Sequence, residues 1–196
     1  MAFLEPVSLS GGLVVLEPLT HDHHDGLVDA ARDGDLWELW YTSVPRPEDM
    51  RAEIERRLGQ QLLGDMLPFT ARRRSDGRLV GMTTYLHVDP GTPRVEIGST
   101  WTARSAQRTG LNAESKLLLL GHAFDVLGCT VVEFRTHWHN RQSRAAITRL
   151  GAKQDGVLRS HQRMPDGSLR DTVVFSILDT EWPAVRAGLR HRLAGR

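Results

Sequence analysis

The residues best placed to do chemistry lie around position 100. Glu96-Ile97-Gly98-Ser99-Thr100-Trp101 is followed, after a short polar loop, by Gln107-Arg108-Thr109-Gly110-Leu111-Asn112-Ala113-Glu114. The first run has strand character, and the second opens directly into an apolar helical segment. Helix N-termini carry unpaired N–H groups and partial positive charge, so such a junction can grip a pyrophosphate. Gly110 lets the backbone approach a phosphate closely, and Arg104 and Arg108 add mobile positive charge. On spacing alone, an ordinary capped helix start fits equally well. Neither G-x-x-x-x-G-K-[ST] nor G-x-G-x-x-G occurs to compete with this reading. His137 and His139 sit two apart on a strand and share a face, a spacing that could hold a metal. With no nearby Cys and no defined third ligand, they read instead as polar residues lining a cleft mouth. His21, His23 and His24 are expected to face solvent. Cys129 follows the helix-ending Gly128, and a buried thiol there would be a poor nucleophile.

The elements that must position these residues follow from pattern. Leu13–Leu19 reads as a strand closed by Pro18, and Thr20 as a helix cap with Asp22 and Asp25 in the first turn. That first helix covers about Asp22–Ala31, ending before Gly34. A second follows Pro47, with Met50, Ile54, Leu58 and Leu62 at four-residue spacing. Between them, Leu36–Pro47 holds Trp37, Trp40 and Tyr41. Phe69–Arg74 and Leu79–Val88 flank the Ser75-Asp76-Gly77 turn, so Arg72-Arg73-Arg74 is expected at a solvated hairpin tip. In Arg94–Thr102, alternation puts Val95, Ile97, Ser99 and Trp101 on one face, and Glu96, Gly98, Thr100 and Thr102 on the other. A long core helix is expected over Leu111–Leu127, with Ala113, Leu117, Leu120, Phe124 and Leu127 as its stripe. Thr130–Trp138 reads as a strand, Asn140 as the cap of a helix ending at Leu150, and Val157–Arg163 with Arg170–Leu178 as a closing hairpin. Ala184–Arg196 is basic and helical with a frayed end. Hairpins mixed with helical crossovers imply an α/β mixed sheet with helices on both sides.

Composition narrows the function classes. The 196 residues carry Lys+Arg 25 against Asp+Glu 24, a formal charge of +1, so no nucleic-acid partner is expected. Hydrophobic residues at 40% and charged residues at 25% fit an ordinary globular chain rather than a disordered one. The single cysteine points to a reducing compartment. No apolar run approaches the ~18 residues of a membrane span. Met1–Leu13 carries Glu5 and no basic segment, unlike a secretory signal. The expectation is a single cytoplasmic domain over 1–196, with no membrane partner.

Gln107-x-x-Gly110-x-Asn112 at a strand-to-helix junction resembles the acetyl-CoA pyrophosphate loop of the GNAT acetyltransferase superfamily, [RQ]-x-x-G-x-[GA]. The preceding Glu-Ile-Gly and the following Ala-Glu are similar to the RimJ/RimL branch of ribosomal-protein N-terminal acetyltransferases. Asn140-Arg141-Gln142-Ser143 and Leu150-Gly151-Ala152 likewise resemble that branch's N-x-x-S and LGF segments. Asn112 departs from the usual small residue and makes the last loop N–H less open; Ala152 replaces the usual Phe. The resemblance spans roughly Leu13 to Trp182, which implies an acetyltransferase core over 13–182 followed by a basic tail, 183–196.

The resemblance implies a mostly antiparallel mixed sheet that splays between its fourth and fifth strands to admit the pantetheine arm. Ser99, Thr100, Trp101 and Thr102 would then offer backbone groups to that arm, one N–H polarising the thioester carbonyl. Gln107, Arg108, Thr109, Gly110, Leu111 and Asn112 would hold the pyrophosphate, and Asn140 would touch the arm. Glu96 is a candidate base, directly or through a water; alternatively it is a sheet-face carboxylate paired to Arg94 or Arg135. Asp155 is a second candidate base, or simply a turn former before Gly156. Ser143 is the candidate donor to the departing thiolate, and otherwise a helix-start residue. Trp37, Trp40, Tyr41 and Trp138 would wall the acceptor channel, or else pack helices together. The implied reaction is acetyl transfer from acetyl-CoA to a primary amine in a ternary complex, with no metal. A non-catalytic acyl-CoA sensor and a metal-dependent hydrolase built on His137 and His139 are the alternatives. The acceptor is open: a protein N-terminus, an amino acid, a polyamine or an aminoglycoside-like drug. Oligomeric state is also open, although proteins of this kind are often homodimers.

Overall fold

Short apolar runs broken by turn residues build one eight-stranded sheet in the computed structural model, which describes residues 3–195. Met1, Ala2 and Arg196, the outermost residues of the N-terminal stretch and basic tail read above, lie outside the described residues. The elements in chain order are β1 (Leu9–Ser10), β2 (Val14–Pro18), α1 (His24–Arg32), α2 (Met50–Leu62), β3 (Met66–Arg73), β4 (Leu79–Asp89) and β5 (Arg94–Thr102). Then come α3 (Leu111–Gly121), β6 (Val131–His137), α4 (Arg141–Leu150), β7 (Lys153–Arg163), β8 (Leu169–Leu178) and α5 (Trp182–Ala194). The strands lie in the order β1-β2-β3-β4-β5-β6-β8-β7. Every neighbouring pair is antiparallel except β5 and β6. That parallel pair is joined through α3, as a parallel crossover requires.

Two adjacent residues of β4 show how the layers are arranged. Tyr85 Oη donates to the Leu119 carbonyl of α3 at 2.6 Å, whereas the Thr84 hydroxyl meets Arg57 of α2 at 2.6 Å. Successive strand side chains point to opposite faces, so α2 and α3 cover opposite sides of the sheet. α1 packs beside α2, and α5 packs beside both α3 and α4. The core between sheet and helices holds Leu27, Met50 and Ile54 on one side, and Phe69, Tyr85, Leu119, Leu120 and Phe134 on the other; all are 2% exposed or less. No helix is long and apolar enough to cross a membrane among the described residues.

The structure corrects the sequence reading at four elements. The two-residue β1 went unread because so short a strand has no period. Leu62, at the end of the α2 stripe, is 89% exposed. The expected helix over Leu111–Leu127 is α-helical only to Gly121 and closes with a π turn over His122–Val126. Leu119, Leu120 and Ala123 are sealed, whereas the extra residue in that turn shifts Phe124 and Leu127 off the stripe, where they are half-buried. The basic tail is helical as read, and is held at its start where Trp182 stacks on Phe124 at 5.5 Å and donates to Asp125 Oδ1 at 3.0 Å. The Arg72–Arg74 run is not merely solvated. Arg72 forks onto Glu17 at 2.7 and 2.9 Å, and Arg74 donates to the Gly11 carbonyl at 3.1 Å.

Candidate active site

Where β5 and β6 meet, pairing lasts three residues: Arg94↔Val131, Val95↔Val132 and Glu96↔Glu133. Beyond Glu96 the strands part. β5 stays bonded to β4, and β6 to β8, so a slot opens between Ile97–Thr102 and Phe134–His137. β5 also carries a bulge along this edge. Gly98 pairs with Thr84 and Trp101 with Met82, which leaves Ser99 and Thr100 opposite Thr83 alone. Ser99 takes φ +45°, a left-handed conformation uncommon for a non-glycine residue. One extra residue flips the side chains that follow. The expected alternation therefore fails here: Thr100 shares the face of Val95 and Ile97, and Trp101 turns to the face of Glu96.

Two buried cations, neither of which the sequence reading singled out, meet this bulge from opposite faces. Lys116 of α3, 5% exposed, donates to Thr100 Oγ1 at 3.0 Å and to Thr83 Oγ1 at 3.1 Å. Burial pulls its ammonium down to about 7. Arg57 of α2, 2% exposed, is paired to Glu53 at 2.7 Å and reaches the Ser99 carbonyl at 3.4 Å. The available signal was positional: Arg57 lies three residues after Ile54 on the buried stripe, and Lys116 three after Ala113.

Past the bulge, the Gln107 side chain donates to the Thr102 carbonyl at 2.9 Å, and Thr109 Oγ1 to the Ala106 carbonyl at 2.7 Å. Arg108 (φ +61°) and Gly110 (φ +96°) fold the loop onto the start of α3, a backbone that suits glycine at 110. No side chain caps α3. Its first-turn N–H groups thus point out of the helix without an intrahelical partner. Glu114 faces backwards instead, accepting from the N–H groups of Gly12, Leu13 and Val14 at 2.9, 2.6 and 2.8 Å. Beside the loop is a cleft of about 590 Å³ lined by Gly12, Leu13, Arg73, Arg74, Ser75, Thr109 and Leu111.

Across the slot, Asn140 Oδ1 accepts from the Ser143 N–H at 2.9 Å and so caps α4, as its residue type suggested. Ser143 lies in the first turn of that helix. Gln142 reaches Gln107 at 3.3 Å, linking α4 to the loop over the mouth of the slot.

Glu96 lies at the fork itself, 5% exposed. Its Oε2 receives His87 Nδ1 at 2.8 Å and faces Arg135 Nε at 3.3 Å, while Arg94 pairs with Glu133 instead. The bond to Glu96 raises the His87 imidazole above its ordinary value. Oε1 lies where a side chain at Gly98 would intrude, 2.6 Å from an added Cβ, so glycine there keeps that oxygen's space open. Asp155 sits apart, at a bulge in β7 rather than in a turn, accepting from Ser176 Oγ at 3.0 Å. Two strands, β6 and β8, separate it from β5.

The aromatic residues divide. Trp40, 55% exposed, makes edge contact with Tyr41 at 5.5 Å and with His137 and His139 at 5.3 Å each. Trp37 packs partly buried against the core. Trp138 points to the other face and lies under Arg144 of α4 at 4.2 Å. His137 is buried, not at a mouth; its Nδ1 accepts the His139 N–H at 3.0 Å, and burial lowers its pKa. His23 also departs from expectation, accepting or donating at 3.0 Å to the Thr70 hydroxyl with little exposure. Among the described residues no group of three or more His, Cys, Asp or Glu could hold a metal. Cys129 is 2% exposed, and burial pushes its thiol up to about 11.

A slot between parted parallel strands, running to an uncapped helix N-terminus, is the architecture of an acyl-CoA N-acyltransferase. Residues 14–153 match the acetyltransferase (GNAT) domain, and the chain belongs to the GNAT acetyltransferase family. Over 107 residues it is 30% identical to "Putative ribosomal N-acetyltransferase YdaF" of Bacillus subtilis (strain 168), covering 55% of this chain and 57% of that one. The chain thus spans little more than half of that curated relative. A GCN5-related N-acetyltransferase from Brucella melitensis superposes with a TM-score of 0.85 at 31% identity, over 96% of this chain and 86% of its own. RimL, a ribosomal L7/L12 alpha-N-protein acetyltransferase, shares the fold with a TM-score of 0.77 at 15% identity, over 89% and 96%. The likeness to the RimJ/RimL branch read from Glu96–Gly98, Ala113-Glu114, Asn140–Ser143 and Leu150–Ala152 is met again in the ribosomal N-acetyltransferase relative.

Proposed function

We propose that the protein transfers the acetyl group of acetyl-CoA to a primary amine, a peptide N-terminus or a small molecule, by direct attack in a ternary complex. The observation that carries this reading is the parting of β5 from β6 after Glu96, with a bulged edge on one side and the open start of α3 at its end. An extended pantetheine arm fits a slot whose edge strand has backbone groups to spare, and a diphosphate fits the first turn of an uncapped helix. Ser99, Thr100, Trp101 and Thr102 line the arm; Gln107, Arg108, Thr109, Gly110, Leu111 and Asn112 hold the phosphates; Asn140 supports the arm from across the slot. A bulge N–H aimed at the thioester oxygen stabilises the charge that develops there, a contribution of roughly 3 kcal/mol.

Glu96 is the proton acceptor in this reading. Its Oε2 is held by His87 and Arg135, which keeps the carboxylate oriented, and Oε1 is the oxygen with room beside it. As the amine nitrogen bonds to the acetyl carbon, the carbon–sulfur bond breaks. The amine proton passes to Oε1, directly or through a water, and the sulfur takes a proton from the side of Ser143. Asp155 is less suited to the base role because β6 and β8 stand between it and the β5 edge. Trp37, Trp40 and Tyr41 border the acceptor approach on the Glu96 face.

Thiol release from acetyl-CoA with a panel of amines, followed by mass spectrometry of the product, tests the reading. Gly110→Glu places bulk and negative charge at the phosphate site and is expected to abolish acetyl-CoA binding in calorimetry; micromolar affinity in that variant would remove the site assignment. Glu96→Gln is expected to lower kcat about a hundredfold or more, the usual scale of a lost general base. Cys129→Ala should retain full turnover, since no acyl-cysteine is formed. Acetyl-CoA binding without thiol release from any amine would instead support a sensor.

A further inference from the structure

The sheet face that carries Glu96 holds a set of charges that does not balance internally. Glu133 takes Arg94 and, at 3.0 Å, Arg135; Glu96 takes His87 at 2.8 Å and Arg135 at 3.3 Å. That accounts for both carboxylates. Arg170 of β8 is left over. It precedes by two residues Thr172, which pairs with His137, so Arg170 and His137 share this face. β6 ends at His137, so Arg170 stands just past it, paired only with β7. Its guanidinium is half-buried and makes no hydrogen bond or ion pair with any described residue, and its Nε is fully enclosed without a partner.

No described neighbour completes the Arg170 guanidinium, and the nearest carboxylate, Glu96, is already taken by His87 and Arg135. His137 has its Nδ1 occupied by the His139 N–H, so the proton of the neutral ring is on Nε2. The charge on Arg170 opposes protonation of His137, and Glu96 is near enough to favour the charged guanidinium. Trp40 covers the two histidines from the solvent side. A partly desolvated guanidinium with an enclosed, unpaired Nε is destabilising unless an anion completes it, and its planar fork matches a carboxylate.

We propose that Arg170 receives a carboxylate carried by the acceptor close to its amine, so that the preferred acceptors are amines with a neighbouring acidic group. This rests on the acetyl-transfer reading and gives its acceptor a chemical class. Glu96 meets the nitrogen end, and Arg170 the acidic end. A free amino acid supplies such a carboxylate at its α-carbon; a peptide supplies it from Asp or Glu beside its N-terminus.

Matched acceptors separate these sources: free amino acids against their amides, and short peptide amides beginning with Asp or Glu against the same peptides with Asn or Gln. In the wild type, kcat/KM is expected to favour the acidic member of one pair type by about tenfold or more, mostly through KM, the size of a lost charged hydrogen bond. Arg170→Gln should bring that ratio to about one, with Arg170→Lys between the two. A ratio near one in the wild type, or a ratio that survives Arg170→Gln, overturns the proposal while acetyl transfer stands. If no amine is acetylated, the enzyme reading fails, and binding decides the anion site. Calorimetry with N-acetyl-aspartate and the uncharged N-acetyl-asparagine amide in the presence of CoA is expected to show the acidic compound bound more tightly by the wild type and not by Arg170→Gln. Equal affinities there overturn it. Apo Arg170→Met is also expected to melt at a higher temperature than the wild type, because the uncompensated charge is gone; a lower melting temperature would mean that Arg170 has a structural partner.

Discussion

Lys116 enters the core from α3 with two threonine hydroxyls and no carboxylate to meet it. Desolvation holds its pKa at about 7 against an ordinary 10.5. Between those values the unfolded chain binds a proton that the folded chain does not, so stability rises with pH across that window and is lowest below it. The limiting slope is about 1.4 kcal/mol per pH unit. Lys116→Met is therefore expected to be more stable than the wild type in urea at pH 6, with the advantage shrinking steadily toward pH 9. A pH-independent difference would mean that the ammonium stays charged in the fold. Gly98→Ala makes a second residue-scale test. An added methyl 2.6 Å from Glu96 Oε1 has to displace that carboxylate, so kcat should fall while acetyl-CoA affinity holds. These residues were unevenly legible in the sequence. Glu96 stood out through the resemblance, as a carboxylate on the strand that leads into the Gln107–Asn112 loop. Lys116 and Arg57 did not, because a long basic side chain within an apolar stripe reads as one that snorkels to the surface.

At the scale of elements, the start of α3 performs two tasks at once. Its first-turn N–H groups are left uncapped toward the loop, while Glu114 turns back to hold the β1–β2 turn through three main-chain bonds. Glu114→Ala frees all three donors, and hydrogen bonds to a charged group are worth about 1.5–3 kcal/mol each, though not additively. The variant is expected to lose about 2–4 kcal/mol of stability, with faster amide exchange at Gly12, Leu13 and Val14 than in the rest of the sheet. Unchanged exchange there would show the turn to be held by other contacts. The strand and helix along this stretch are readable from periodicity, but the β5 bulge and the π turn are not. Both insert one residue into a regular repeat, and the insertion becomes visible only against the partner: Thr83 opposing Ser99 and Thr100, and Leu127 bonding back to the His122 carbonyl at 3.0 Å.

For the whole molecule, the parted strands are the decisive feature. β5 and β6 are held together only through Glu96↔Glu133, then diverge, so the amides on the open edge of β5 have no strand to bond. Acetyl-CoA is expected to protect backbone amides within Ser99–Thr102 and at the first turn of α3 from hydrogen exchange, and to leave the β7–β8 hairpin unchanged. Protection spread evenly over the sheet would indicate general tightening instead of occupancy of the slot. The charge balance of the Glu96 face also belongs to this scale, because it joins β4, β5, β6 and β8.

By itself, the sequence determined the order of the elements other than β1, the strand-to-helix junction at Gln107–Asn112 and the capping of α4 by Asn140. Those are local properties: hydrophobic period, turn chemistry and cap preference act over a few residues and are written in neighbouring positions. Tertiary structure alone decided which way the side chains after Ser99 point, that Trp138 leaves the histidines to meet Trp40, that two cations flank the bulge, and that Arg170 forms no ion pair among the described residues. Each of these depends on which residues, distant along the chain, are brought opposite one another, and on how much water the packing removes from them.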